Sequence, residues 1–219
     1  MAPLFDVSYA IKIAPELLHA CIYTVGITIC AFAIALVLGL ALAVLRRSKS
    51  RPVAKTSAFV IEFVRSTPLL IQVYVLFYVA PMYGLTMTAL VAGTLGIAIH
   101  YGCYLSEVYR AGLNGVHRGQ WEAATALSLS PARTYSSVIL PQAIRTITPV
   151  LGNYLNSMFK ETPVLSAITV VEVMQQAKNI GAESFRYLEP ITMAGIFFLL
   201  VSMCCAYGIR QLERQLKLP

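Results

Sequence analysis

Charge is scarce in this 219-residue chain: Asp and Glu number 10, Lys and Arg 17, together 12% of the residues. An ordinary soluble domain carries about twice that share, so water is not expected to be the main solvent. The sequence also has no G-x-x-x-x-G-K-[ST], no H-E-x-x-H and no G-x-S-x-G. There is thus no phosphate cradle for hydrolysing ATP, no paired-histidine metal site and no nucleophile elbow. His19, His100 and His117 are scattered, and no metal site is expected. Cys21, Cys30, Cys103, Cys204 and Cys205 lie in apolar stretches without C-x-x-C, where they read as small hydrophobes. The first twenty residues lack the basic start and small-residue cleavage site of a signal peptide, so the first apolar stretch is expected to stay. No polar segment is long enough to bury a core of its own, which predicts one domain over residues 1–219. No internal repeat is visible, which counts against a secondary transporter driven by an ion gradient.

What the sequence does have is apolar runs: 58% of residues are hydrophobic. Five blocks are of about the 20 residues needed to cross a hydrocarbon core of roughly 30 Å. They run over about 21–45, 57–80, 85–104, 147–171 and 191–209. The fold class predicted is therefore all-α integral membrane, with five transmembrane helices. The first block carries no charge, the second holds Glu62, Arg65 and Pro68, and the fourth is interrupted by Lys160, Glu161 and Pro163. Within the first, Ala31, Ala35, Gly39 and Ala43 recur every four residues, a stripe of small side chains on which another helix can approach closely.

The formal charge of +7 raises the question of a nucleic-acid partner, and the placement of the basic residues answers it. Arg46, Arg47, Lys49, Arg51 and Lys55 follow the first block with no acid among them, as positive-inside loops do. With five spans, residues 105–146 and the C-terminal tail fall on the same side, bringing Arg110, Arg118, Arg133, Arg145, Arg210, Arg214 and Lys217. The opposite side holds only Lys12, Lys178 and Arg186 beside Asp6, Glu16, Glu172, Glu183 and Glu189. The expectation is an N-terminus outside, a C-terminus in the cytoplasm, and no nucleic acid.

The segment from about 105 to 146 is long for a connection and carries structural signals. Ser130-Pro131 reads as an N-cap followed by proline at the first helical position. One short helix is expected to end near Leu129 and another to start at Pro131, and Leu140-Pro141 is expected to close the second, because the residue before a proline is pushed out of the helical region.

Three stretches in this segment carry a resemblance: Glu122-Ala123-Ala124, then Ala126-Leu127-Ser128, then Ile139-Leu140-Pro141-Gln142-Ala143. They resemble the E-A-A loop of the permeases of binding-protein-dependent ATP-driven (ABC) importers. Glu107-Val108-Tyr109-Arg110-Ala111-Gly112 and Gly119-Gln120-Trp121-Glu122 are similar to what precedes that loop in the polar amino acid branch. Arg65-Ser66-Thr67-Pro68-Leu69-Leu70 resembles that branch's R-G-T-P-L-L, and Lys160-Glu161-Thr162 its K-D-T. The likeness runs from about Leu17 to the last span. Two departures stand out, Ser128 and Ser66, each where the family usually has glycine; serine adopts positive φ less readily, so an altered turn is expected at Ser128.

The resemblance implies a type I ABC importer permease fold with a cytoplasmic helix-turn-helix coupling loop. In it Gly119, Glu122, Ala123, Ala124 and Ser128 would dock on an ATP-binding subunit. It implies a second permease subunit, identical or paralogous, two ATP-binding subunits that bind the ATP, and an extracytoplasmic solute-binding protein. This chain would bind no cofactor and would lie in the bacterial inner membrane. Polar amino acids are the default solute, and the sequence also resembles permeases for ectoine and hydroxyectoine.

Charges at bilayer depth cost at least about 2.5–3.5 kcal/mol each, so Lys160 and Glu161 ask for a reason. Thr162-Pro163 reads as an N-cap and first-turn pair, which predicts that the fourth span stops there and a new helix starts. Asn153 and Asn156 lie one and two turns earlier on a related face. With Thr162, these four form the candidate substrate path; Arg65, near the end of the second block, is its outlying member or a simple anchor.

Overall fold

The structure, a computed structural model, describes residues 5–216, all helix and short connections with no strand among them. Lys217 of the basic tail lies outside the described residues. Helix α1 spans Val7–Arg46, 40 residues. At 1.5 Å per residue it is about 60 Å long, twice the hydrocarbon thickness. The helix therefore begins well before the expected span of about 21–45, which lies within it. Asp6 caps the helix by accepting from the Tyr9 amide at 3.1 Å, and Pro15 is carried inside it. The added length has its own apolar face, since Ala10, Ile13, Leu17 and Ala20 recur at helical spacing and are buried. They face Val173, Ala177 and Ile180 of α8 (Val173–Ser184) and Ala194 of α9 (Leu188–Gln215).

The expected second span is two helices. α2 (Arg51–Arg65) ends at Ser66, and α3 (Leu69–Tyr74) leaves at 104° to it, continuing through a wide turn at Val75–Val79 and a tight one at Ala80–Tyr83. Pro68 forces the break: it pushes Thr67 out of the helical region and itself sits extended at ψ 138 as the cap of α3.

The third element, α4 (Ala89–Asn114), starts after a Thr88 cap and runs past Tyr104, so the first turns of the expected loop belong to this helix. Its packing on α1 uses the small-residue stripe. Ala31 and Ala35 are fully buried and Ala43 nearly so, and a Cβ on Gly39 would stand 2.9 Å from both the Gly102 carbonyl oxygen and the Leu105 Cβ. Residues of α1, α3, α4 and α7 close the main apolar cluster there.

After α4 come α5 (Arg118–Ala126), the single turn α6 (Pro131–Arg133), a wide turn over Thr134–Ile139, and α7 (Leu140–Glu161). The start at Pro131 with Ser130 as cap is found as expected. The closure at Leu140-Pro141 is not: the path stays helical from Pro131 to Glu161. The wide turn ahead of Pro141 accommodates the missing N–H and the ring, which would otherwise strike the preceding turn. α7 stops at Glu161, but no new α-helix starts at Pro163. Thr162–Ile168 forms a 3-10 stretch, and the Thr162 hydroxyl turns back to the Phe159 carbonyl at 2.8 Å instead of capping forward. The next helix is α8, unread in the sequence and capped by buried Glu172, whose carboxylate accepts from the Met174 and Gln175 amides at 2.9 and 2.8 Å.

Among the described residues, three helices, α1, α4 and α9, are each long and apolar enough to cross a membrane, and the bent α2–α3 pair is a fourth when taken as one span.

Candidate functional site: an intramembrane polar cluster and an exposed loop helix

The break between α2 and α3 is tied together by Gln72. Its amide nitrogen donates to the Val64 carbonyl (2.7 Å), the Thr67 carbonyl (3.1 Å) and the Thr67 hydroxyl (2.8 Å), replacing backbone bonds lost at Pro68. Its oxygen lies 3.2 Å from His100 Nδ1 on α4. His100 opens an aromatic cluster with Tyr101, Tyr104 and, from α7, Tyr154, ring centroids 5.1–6.4 Å apart. Arg65 enters the cluster from the end of α2. Its guanidinium carbon lies 5.1 Å from the Tyr104 ring centre, and Glu62 is 3.6 Å away. The Tyr104 hydroxyl donates to the Arg65 carbonyl at 3.3 Å, and Arg65 Nε is buried with no hydrogen-bond partner.

Of the charged pair on α7, Glu161 shares a helix face with Tyr154 seven residues earlier, the tyrosine by which α7 enters the cluster. Both Lys160 and Glu161 are exposed and, among the described residues, neither makes an ion pair. Asn153 is exposed, whereas Asn156 faces α9, where the Ser202 hydroxyl donates to its side-chain oxygen at 2.9 Å. Thr162 is fully buried, and its hydroxyl proton is committed to the Phe159 carbonyl. The expected path set is thus divided: Arg65 lies on the aromatic cluster, Glu161 shares the face of α7 that enters it, Lys160 and Asn153 lie on a neighbouring face, and Asn156 and Thr162 turn elsewhere. Gln72, Tyr101, Tyr104 and Tyr154 were not read from the sequence. His100 with Tyr101 and Tyr104, at i, i+1 and i+4 in an otherwise uncharged block, is the signal that would have found them.

The second constellation is α5. His117 caps it, its Nδ1 accepting from the Gly119 amide at 3.1 Å. Gly119 is half-buried under that ring, while Glu122 and Ala123 point outward. Glu122 pairs with Arg118 one turn earlier at 3.0 Å, both exposed. Ala124 is turned inward and buried, and Trp121 packs edge-on against Tyr135 at 5.3 Å. Gln142 at the start of α7 donates to Gln120 at 3.2 Å, fixing the angle of α5 to the bundle. The helix closes in a Schellman turn: the Leu129 amide donates to the Ala124 carbonyl (3.0 Å) and the Ser128 amide to that of Thr125 (2.9 Å). Ser128 holds the left-handed position at φ 52. The turn expected to alter keeps its form, and serine takes the strain. Ser66, the other departure, has φ −85 and needs no glycine.

Residues 35–217 match the family described as binding-protein-dependent transport system inner membrane component. The chain belongs to this family. Among relatives, a probable amino-acid ABC transporter permease of Sinorhizobium fredii is 45% identical over 94% of this chain and 89% of its own. The arginine transport system permease of Bacillus subtilis is 30% identical over 97% of each chain, and the L-cystine permease of the same organism 33% over 88% and 84%. A crystal structure of an amino acid ABC transporter with histidines superposes on this permease with a TM-score of 0.93, at 31% identity, over 96% of this chain and 99% of that one. An inward-facing methionine ABC transporter shares the fold at 16% identity and a TM-score of 0.77. This is an inner-membrane, multi-pass permease component.

Proposed function

We propose that this permease carries a polar amino acid across the inner membrane, together with a second permease subunit, two ATP-binding subunits that bind and hydrolyse the ATP, and an extracytoplasmic binding protein. The relatives named for amino acids support the solute class, and none of them bears on ectoine. The five spans are α1, the bent α2–α3 pair, α4, α7 and α9, with the N-terminus outside and α5 in the cytoplasm as the coupling helix.

The observation that carries the solute reading is Arg65 lying on an aromatic cluster that α7 enters through Tyr154, two turns before Glu161 on the same helix face. A cation on the rings and an anion further along the same face of α7 complement the carboxylate and ammonium groups of an amino acid, and Arg65 has an unpartnered Nε to offer. Uptake of a panel of amino acids at matched protein levels tests it. Glu161→Ala should weaken handling of solutes with an extra cationic group, because an uncompensated ammonium in a low-dielectric path is unfavourable. Arg65→Gln should weaken all of them. An unaltered preference profile for both Lys160→Ala and Glu161→Ala removes this end of α7 from the path.

A further inference from the structure

An apolar groove of about 330 Å³ lies between the last turns of α1, the extension of α4 and the first turns of α7, away from the polar cluster. Leu40 and Val44 form one wall, Leu113 another, Ile144 and Ile147 the third, and Ile147 closes the bottom. Leu40, Val44 and Ile144 are more than half exposed in the chain. Tyr109 also borders the groove, but its hydroxyl donates to the Leu36 carbonyl at 3.3 Å, so only its ring is offered. The one charged lining residue is Arg47.

Charge at the mouth is one-sided. Glu107 of α4 lines a separate groove across Ile147 and is taken by Arg46 and by Arg110, the latter at 2.6 Å. Two cations on one anion leave a positive excess. Arg47 adds to it, since its contact is with the neutral Asn114 side chain at 3.5 Å and, among the described residues, it meets no carboxylate. Lys49, Arg51 and Lys55 follow within two turns of chain, with no acid between. An occupant must therefore have a hydrocarbon portion for the groove and an anionic head for its mouth.

We infer that this groove is a binding site for an anionic phospholipid, one acyl chain lying between α1, α4 and α7 and the phosphate at Arg47. The basic surface of a membrane protein attracts anionic headgroups, and a groove leading from it into the bilayer turns that attraction into a site. A zwitterionic lipid fills the groove equally well but gains less at the mouth. The inference goes beyond transport and uses the orientation proposed above only to assign the leaflet.

Native mass spectrometry of the transporter purified with its ATP-binding subunits, given equal amounts of phosphatidylglycerol and phosphatidylcholine of the same chain length, tests it. Wild type should retain phosphatidylglycerol in preference. Arg47→Gln should cut that preference by about fivefold, the effect of one basic residue near the surface, and Arg47→Lys should keep most of it. Ile144→Trp, at an exposed groove position, should lower retention of both lipids. Equal retention of the two lipids by wild type, or an unchanged preference in Arg47→Gln, overturns the inference. So does a cross-link from position 144 to a second protein chain in the membrane, which would show the groove filled by protein. None of these readings depends on whether the transporter moves an amino acid.

Discussion

Ser128 shows how a single residue departs from its family and is absorbed. A non-glycine residue in the left-handed region costs about 1–2 kcal/mol, while glycine would give back part of that through the freedom it loses on folding, about 0.5–1 kcal/mol. Ser128→Gly should therefore stabilise the loop by about 0.5–1 kcal/mol, seen as a higher melting temperature of the detergent-solubilised transporter. A lower one would show that the serine hydroxyl contributes more than the backbone costs. The strain was legible in sequence because the pattern around Glu122 marks the turn. Thr162 was misread for a reason of the same size: Thr-Pro is a capping pair only when the hydroxyl points forward, and here it satisfies the Phe159 carbonyl at the end of α7. Thr162 is followed by Leu165 and Ile168, both packed in the main apolar cluster, and such tertiary surroundings are not written in the dipeptide.

At the scale of an element, the docking role proposed for α5 can be tested apart from folding. Its Glu122–Arg118 pair is exposed on both sides, and such a pair contributes no more than about 0.5 kcal/mol. Glu122→Lys should leave the permease folded and in the membrane, yet abolish co-purification with the ATP-binding subunit and the solute-stimulated ATP hydrolysis. Unchanged association would refute the coupling role. The corner where α8 meets α9 offers a pH test. There Arg186, between α8 and α9, reaches Asp6 at 3.4 Å, Glu189 and the Tyr9 ring. The Tyr9 amide and the Arg186 guanidinium hold the Asp6 carboxyl below its usual value, against the pull of burial. A carboxyl with a lowered value lends stability above the ordinary carboxylate range and loses it as pH falls through the lowered value. The melting difference between wild type and Arg186→Gln should therefore be full at neutral pH and shrink below about pH 4. A difference constant down to pH 2 would show that Arg186 acts by packing alone. Elements such as α1 and α9 were legible because long apolar runs leave few alternatives. The break at Pro68 and the helix α8 were not, since both depend on partners distant in sequence: Gln72 bonding across the gap to Val64, and Thr24 of α1 accepting from the Val173 amide.

In the whole molecule, two sets of polar contacts mark the ends of the bundle, and they fix which termini share a side. Asp6 before α1 meets Arg186 and Glu189 at the start of α9, so those two helices begin together. At the other end of α1, Arg46 meets Glu107 and Arg47 meets Asn114, both near the close of α4. That end gathers Arg46, Arg47 and Arg110 and leads directly into α5. The beginning of α1 carries far fewer cations. A membrane protein keeps its basic end in the cytoplasm, which supports the proposed orientation with α5 inside and the α8–α9 corner outside. Thiol labelling in intact cells checks this. In a background with the five native cysteines replaced, Phe185→Cys, at a position 89% exposed, should react with an impermeant reagent added outside. Glu122→Cys should react only after the cells are opened. Both are exposed in the chain, so a difference between them reports sidedness and not burial, although a bound ATP-binding subunit can also shield residue 122. Opened cells stripped of that subunit separate the two effects. If residue 122 is labelled from outside while residue 185 is protected, the orientation is inverted and the coupling assignment for α5 goes with it.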